Sequence, residues 1–310
     1  MTGTALIALY VAVVGLLVPR ALRQARWVVR APRLAVALWI ALSVSALVGV
    51  YALGCHVAES VAAGTPWECC LMLFSGRAPA ATGVLPLSVW GVLAVAVPAR
   101  VIGVVGLDAL RMRRRRHGHA AALDLLGRPV GVSGCHALAV DHDVPAAYCV
   151  AAKGGRVVVT TAALNVLPAR ELSAVVEHEK AHLHGRHALL ATTAASLGRA
   201  LPWIPLFSCV GPAVARLVEM AADDAAARHV AKETVARGLA LMVVAAGGVA
   251  MPADAATLGA TGTDVTERIN RLLDIGGVER KRSAAAGTGW LMGLVAAPMA
   301  VAAGAATAWC

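Results

Sequence analysis

The segment His178-Glu179-Lys180-Ala181-His182 places two histidines four residues apart, with a glutamate directly after the first. On a helix, side chains four residues apart lie on one face, about 5–6 Å apart at Cβ, so both imidazoles can reach one Zn²⁺. Glu179 projects beside that ion, where it can take a proton from an attacking water and pass it to a leaving amine. The pattern predicts a zinc-dependent hydrolase, with His178 and His182 as ligands and Glu179 as general base.

A catalytic zinc ion needs a third protein ligand, and the segment Glu219-Met220-Ala221-Ala222-Asp223 contains a candidate. Glu219 is the predicted third ligand. Asp223 lies four residues further on, on the same helical face, where it can accept a hydrogen bond from a ligand imidazole. A plain solvated helix face is the alternative for this carboxylate pair, and the preceding HExxH pattern makes it the weaker one.

Three other residues are additional site candidates. His187 can support the site or cap the helix, although a surface role is the simpler interpretation for it. His229 can stabilise an oxyanion, but it lies ten residues beyond Glu219 and well round the helix from it. Tyr148 can face the site, and packing in the core is the competing interpretation.

The elements that carry these residues are predicted from periodicity and turn signals. Residues 156–161 follow Gly154-Gly155 and are rich in β-branched residues, which indicates a strand. This strand is either an edge strand that binds extended substrate or an ordinary strand within the sheet. Pro168 starts a helix that carries the HExxH pattern. Further helices are predicted, over about 215–230, 236–250 and 265–273.

The composition indicates an integral membrane protein. Of the 310 residues, 59% are hydrophobic and 15% are charged, whereas soluble domains have about 25% charged residues. A membrane span needs about 20 residues of helix, and four apolar stretches are candidates: about 4–19, 34–54, 84–107 and 286–309. Residues 188–210 are also apolar, but Arg199, Pro202 and Pro205 interrupt them. A single crossing there would separate His182 from Glu219.

Arginine clusters flank the apolar stretches and set the predicted orientation. They lie between the first two stretches, at 111–116 and at 280–282, and by the positive-inside rule they face the cytoplasm. Both termini and the 55–83 loop then lie outside. The prediction is a membrane domain over 1–110, a cytoplasmic domain over 111–283 and a fourth span over 284–310. The same explanation of the charge disfavours nucleic-acid binding, despite a net charge of +10.

The predicted topology also divides the seven cysteines of the chain. Two disulfides are allowed among the cysteines expected outside, and their pairing stays open. These residues are Cys55, Cys69, Cys70 and Cys310. The remaining three are expected in the cytoplasm as thiols, and none has the spacing of a zinc site.

Four segments together resemble the M56 (BlaR1-type) membrane zinc peptidases and their M48 relatives. They are HEKAH, EMAAD, the preceding RVVVTTAALNVLPARELSAVVEHE and the later ERINRL, within roughly residues 140–275. The resemblance implies a zincin-like (gluzincin) α+β domain with a small sheet in a mainly α protein with four transmembrane helices. It also implies zinc held by His178, His182 and Glu219, and a winged-helix repressor as substrate. Antibiotic-sensing members continue into a sensor domain, which we do not expect here because the sequence ends at Cys310.

The predicted function is thus a cell-membrane zinc endopeptidase that acts on a protein or peptide substrate at the cytoplasmic face. A regulatory role leads, and a quality-control protease of the M48 type is the alternative. A signalling scaffold without catalysis is a second class, which the complete set of catalytic residues disfavours. A transporter is a third class, disfavoured because the spans lack paired charges and matching broken helices.

Overall fold

The computed structural model describes residues 2–62, 84–132, 135–152, 154–247 and 262–274. Over these residues the protein is mainly helical and has one mixed four-stranded sheet. The predicted fourth span lies outside the described residues, and so do Cys69, Cys70 and Cys310.

The N-terminal part consists of apolar helices. The part of the chain that the structure describes has three helical stretches long and apolar enough to cross a membrane: Thr4–Gln24, Pro32–Cys55 and Pro205–Ala226. The first two coincide with predicted spans. The elements of this part are α1 (Thr2–Ala12), a π-helical segment (Val13–Leu17), α2 (Val18–Gln24), α3 (Arg26–Arg30), α4 (Pro32–Ala62) and α5 (Val84–Leu126). Large apolar side chains such as Leu9 (62% exposed) and Leu34 (59%) cover the outer surface, which is compatible with association with a membrane.

Helix α5 passes through the predicted domain boundary without a break. It contains the predicted third span, 84–107, and then continues through the arginine run 113–116 to Leu126. The boundary that the sequence predicts at residue 110 therefore lies inside one helix of 43 residues. A charge pattern marks a change of surroundings along a helix, but it does not end the helix.

The sheet has the strand order β1-β2-β4-β3. Its strands are β1 (Arg128–Val132), β2 (Cys135–Val140), β3 (Ala147–Val150) and β4 (Arg156–Thr160). Strand β4 pairs in parallel with β2 and antiparallel with β3. It is therefore an interior strand, which fits its continuous apolar sequence. Of the two alternatives for this strand, the structure has the ordinary strand within the sheet, and β3 forms the edge next to it.

The sheet supports the helix that carries the HExxH pattern. Thr160 ends β4 and caps the short helix α6 (Thr161–Val166), because its side chain accepts a hydrogen bond from the Ala163 amide. Helix α7 (Ala169–His184) follows directly after Pro168. One face of α7, including Val176, packs on Val157 and Val159 of β4. The opposite face of this amphipathic helix is left for His178 and His182.

Two further helices form a hairpin that returns to α7. Helix α8 (His187–Ala200) and helix α9 (Pro205–Ala226) pack against each other. Helix α8 also packs on α5, and α9 also packs on α4. Phe207 and Val210 of α9 are buried with Trp39 and Leu42 of α4. Residues 188–210 thus contain a turn, at 201–204, between two helices rather than one continuous helix. Pro205 starts α9 because proline suits the first helical turn.

The last described elements are α10 (Lys232–Ala245) and α11 (Gly262–Leu272). Helix α10 packs on α7, and α11 packs on both α9 and α10. Arg271 of α11 donates hydrogen bonds to the Val29 carbonyl (2.7 Å) and the Met220 carbonyl (3.4 Å). The arginine thereby connects α11 with α3 and α9.

The α8–α9 hairpin depends on a close approach at Gly198, and we predict that Gly198→Ala destabilises the protein. A Cβ atom there would lie 2.9 Å from the Phe207 carbonyl oxygen, which is backbone and cannot rotate away. We expect a loss of about 1–3 kcal/mol in the free energy of unfolding. Thermal unfolding of the detergent-solubilised protein, followed by tryptophan fluorescence, measures it as a fall of several degrees in melting temperature.

Gly118→Ala is the matched control. A Cβ atom at Gly118, in α5, meets no atom within 4 Å, and alanine is the better helix former by about 0.5–1 kcal/mol. We expect an unchanged or slightly higher melting temperature. Equal melting temperatures for Gly198→Ala and wild type would contradict the close packing of α8 on α9.

Candidate metal centre

Three predicted ligands converge between α7 and α9. Nε2 of His178 lies 3.0 Å from Nε2 of His182. The Glu219 carboxylate lies 3.4 Å from each of these nitrogens, one oxygen facing each imidazole. Among the described residues this is the group of histidine, cysteine and acidic side chains that can hold a metal ion.

The spacing of these atoms fits a tetrahedral zinc site. Ligand atoms about 2.0–2.1 Å from a tetrahedral Zn²⁺ lie about 3.3 Å from one another, close to the observed 3.0–3.4 Å. Two imidazoles and one carboxylate form the ligand set of catalytic zinc sites that leave one position open. The residues present therefore fit a catalytic zinc ion.

A buried ionic network holds two of these ligands. Nδ1 of His178 lies 3.0 Å from Oδ1 of Asp223, which leaves Nε2 for the metal. Arg268 of α11 donates two hydrogen bonds to Asp223, at 2.8 and 2.7 Å. Its remaining nitrogen lies 3.1 Å from the Glu219 carboxylate. One guanidinium thus orients the carboxylates of both Glu219 and Asp223.

The other ligand imidazole is supported by His187. Nδ1 of His187 lies 3.1 Å from Nδ1 of His182, and only 5% of His187 is exposed. The interpretation of His187 as a surface residue is therefore wrong. The chain folds back at Arg186, whose φ is 49°, and a Cβ atom at Gly185 would collide with the His187 ring. Glycine at this position allows the fifth residue after His182 to reach it.

The charges of the site favour a bound cation. Burial lowers the pKa of His178, but hydrogen bonds to Asp223 and Glu219 outweigh it and raise this pKa to about 10. Burial, together with the charge of His178, lowers the pKa of His182 to about 3. The carboxylates therefore stabilise one positive charge between the imidazoles. A divalent ion held by these residues would supply that charge in place of the proton, since metal binding to histidine requires the deprotonated imidazole.

Glu179 lies beside the metal site and contacts a residue that the sequence did not single out. Burial raises the pKa of Glu179 to about 7, which suits a group that takes up and gives back a proton. The Cys149 thiol of β3 hydrogen-bonds to the Glu179 carboxylate, and burial raises the pKa of Cys149. Cys149 is therefore a neutral thiol next to the general base.

Two of the other candidates lie elsewhere. Tyr148 forms part of a cleft wall, but its hydroxyl bonds to Nε2 of His119 at 3.0 Å and its ring packs on the α5 side of the sheet. Alternation along β3 turns Cys149 rather than Tyr148 toward α7. His229 lies outside the metal site; its side chain is 63% exposed and lies 3.9 Å from the Glu177 carboxylate.

Arg268 is the main site residue that the sequence analysis missed. Val265, Arg268 and Leu272 are the buried residues of α11 and lie three and four apart. An arginine at an apolar position of an amphipathic helix was the available signal, since a buried arginine needs carboxylate partners. For Cys149 the signal is weaker, because it depends on the pairing of β3 with β4.

We predict that Arg268→Gln weakens zinc binding about 10–100-fold, the usual effect of removing a residue that orients metal ligands. The substitution removes the fork that holds Asp223 and Glu219. Competition of the purified protein with a zinc chelator measures the affinity. Arg268→Lys keeps the charge but not the bidentate geometry, so we expect an intermediate affinity.

Arg216→Gln is the control, because Arg216 joins the same two helices through Glu267 and does not touch the site. We expect the zinc affinity of this variant to stay at the wild-type value. Equal affinities for Arg268→Gln and Arg216→Gln would show that the Arg268 fork does not hold the ligands.

We also predict that His187→Phe lowers zinc affinity about tenfold, because it removes the acceptor that fixes the His182 imidazole. His187→Gln restores a polar acceptor, so we expect it to recover part of the affinity in the same chelator competition. His184→Gln is the control, since His184 is exposed at the end of α7. A His187→Phe protein that binds zinc like wild type would exclude this role.

Comparison with known proteins supports metallopeptidase chemistry for one part of the chain. Residues 112–206 match the family model described as Peptidase family M48. The matched segment contains His178, Glu179 and His182 but ends before Glu219, and it covers less than half of the chain. No curated protein and no solved structure matches the chain. The match supports a metallopeptidase domain of the M48 family in this chain, whereas the finer resemblance to M56 membrane peptidases stays a prediction.

Proposed function

We propose that this protein is a zinc-dependent endopeptidase. The observation that carries the proposal is the convergence of His178, His182 and Glu219, with Glu179 beside them. A metal site of purely structural purpose would have four protein ligands and no general base. The match of residues 112–206 to Peptidase family M48 is independent support.

Each residue of the site has a separate role in the proposed hydrolysis. His178, His182 and Glu219 would hold the zinc ion, which supplies Lewis-acid chemistry for polarising a carbonyl and acidifying water. Glu179 accepts the proton of the attacking water and delivers it to the leaving amine. Arg268 and His187 keep the ligands in place, so that little reorganisation is needed during the reaction.

The cleft beside the site suits an extended peptide. It has a volume of about 1050 Å³ and is bordered by β3 and by the adjoining ends of α7 and α8. Strand β3 pairs with β4, and the structure describes no strand on its other side. A substrate backbone can therefore hydrogen-bond to β3 as an added strand. Its scissile bond would then lie next to His182 and Glu179.

The cellular setting is also part of the proposal. The apolar helices Thr4–Gln24 and Pro32–Cys55 support an integral membrane protein. The positive-inside rule supports a cytoplasmic position for the catalytic domain. A regulatory protease that inactivates a winged-helix repressor follows from the resemblance to M56 peptidases. The M48 match is equally consistent with a quality-control protease that degrades damaged membrane proteins.

We predict that Glu179→Gln reduces peptide hydrolysis about 10²–10⁴-fold, which is the usual contribution of a general base. The amide is nearly isosteric with the carboxylate but cannot take up the proton, and Glu179 is not a ligand. Zinc content should therefore equal that of wild type. Cleavage of a fluorogenic peptide by full-length protein in detergent, and metal analysis of the same samples, give the two quantities.

His178→Ala is the companion variant, because we expect it to lose zinc and activity together. Wild-type protein that binds zinc and cleaves no peptide or candidate partner would favour the scaffold function. Unchanged hydrolysis by Glu179→Gln would exclude Glu179 as the base. The inactive Glu179→Gln protein also retains substrates for crosslinking, which separates a repressor from damaged membrane proteins.

A further inference from the structure

The cleft next to the metal centre has a wall formed by α5. The residues of α5 that line it are Met112, Arg115, Arg116 and His119, which are spaced three and four apart. They therefore belong to one face of the helix. Helical geometry thus places Arg115 and Arg116 at the cleft and the other two arginines of the run 113–116 outside it. Arg113 lines a smaller cavity beside α8, and Arg114 is exposed away from the cleft.

A third arginine lines the cleft from the turn between α7 and α8. Arg186 lies there next to His184. Among the described residues that line the cleft, three are arginines and none carries a carboxylate. Within the described part of the chain, Arg116 and Arg186 form no ion pair. Their guanidinium groups are available to an anion in the cleft.

The neighbouring acids of α5 are bound to other partners. Asp108 accepts a hydrogen bond from Ser196 (2.8 Å) and pairs with Arg199 of α8. Asp124 pairs with Arg156 of β4. Neither of these carboxylates lines the cleft. The two carboxylates of α5 therefore form no ion pair with Arg116 or Arg186 in the described part of the chain.

We propose that the cleft selects peptide segments with aspartate or glutamate close to the scissile bond, and that Arg115, Arg116 and Arg186 bind these side chains. This inference rests on the proposed peptidase function. Hydrogen bonds between guanidinium groups and carboxylates are charge-assisted and frequently bidentate, and they are about twice as strong as neutral ones. The edge of β3 would hydrogen-bond to the backbone of the substrate, and the surrounding arginines would bind its acidic side chains.

A role of the arginine run in binding the membrane surface is the competing explanation. Such a role depends on the total charge of the run, because lipid headgroups are bound at any face of a helix near the surface. Substrate selection instead depends on which face an arginine occupies. Arg115 and Arg116 line the cleft, whereas Arg113 and Arg114 do not. Neutralising either pair removes the same charge, which makes the two explanations separable.

The test compares two peptides that differ only in carrying Asp and Glu, or Asn and Gln, on both sides of the cleaved bond. Full-length zinc-loaded protein in detergent is used, and kcat/KM is measured for each peptide. We expect wild type to prefer the acidic peptide by about tenfold, equivalent to about 1.4 kcal/mol. The preference should decrease at high salt, because exposed charges are screened.

The double variant Arg115→Gln/Arg116→Gln should bring this ratio close to one, whereas Arg113→Gln/Arg114→Gln should leave it at the wild-type value. Arg186→Asn should also lower the ratio, and it tests the opposite wall independently if the first double variant does not fold. Asparagine tolerates the left-handed backbone at this position.

Three other results are possible, and each contradicts a different claim. Equal cleavage of both peptides by wild type would overturn the acidic preference and leave the peptidase function standing. An equal loss of preference in both double variants would assign the effect to surface charge near the membrane. Cleavage of neither peptide by wild type would contradict the peptidase function, and the preference with it.

Discussion

A single buried guanidinium, that of Arg268, holds the carboxylates of the candidate metal centre in place. Arg268 is 4% exposed and Asp223 is 1% exposed. Removing such charges from water costs several kcal/mol each, so each must have a well-placed partner. The two hydrogen bonds to Asp223 and the contact with Glu219 meet this requirement. They also fix the register of α11 on α9, and thereby the position of the carboxylates relative to α7.

The path of the chain explains how the third ligand reaches the site. Helix α8 begins at His187, next to the site, and leads away from it. Helix α9 brings the chain back, so that Glu219 faces the C-terminal half of α7. The hairpin needs a short distance between its helices, which Gly198 permits at the Phe207 carbonyl. Its outer surface packs on Trp39 and Leu42 of α4. The position of Glu219 is therefore coupled to the apolar N-terminal helices, not only to the peptidase domain.

The sequence predicted the parts of the site that depend on local geometry. Histidines one helical turn apart, and a carboxylate pair with the same spacing on another helix, can be read from the residue order alone. The proximity of these two helices followed from the chemistry of zinc, which needs a third ligand. Arg268 could not be placed in this way, because its partner Asp223 lies 45 residues away and the link is purely tertiary. His187 was misread because its burial depends on a left-handed turn at Arg186.

The position of β4 in the sheet and the start of α9 also depend on tertiary context, which the local sequence does not specify. Strand β4 was predicted with nearly correct ends, but its interior position depends on pairing with β2 and β3, which the residues of β4 do not specify. The prolines at 202 and 205 were taken to interrupt an apolar stretch. In the structure Pro205 begins α9, because the ring that breaks a helix interior suits a first turn. The effect of a proline depends on its place in an element, which is known only once the element ends are known.

On the proposed membrane topology, the continuity of α5 would place the arginine-lined cleft near the bilayer. Arg115 and Arg116 lie eight and nine residues beyond the predicted end of the third span, or about 12–14 Å along the helix. On this topology the cleft lies close to the membrane surface and is reached by segments that adjoin a bilayer. Cytoplasmic segments of ordinary membrane proteins carry an excess of lysine and arginine there, which a cleft lined by arginines repels. An acidic preference would thus spare correctly oriented membrane proteins. It would leave acidic segments, of a soluble partner or of a wrongly inserted chain, as substrates of a protease that operates among abundant membrane proteins.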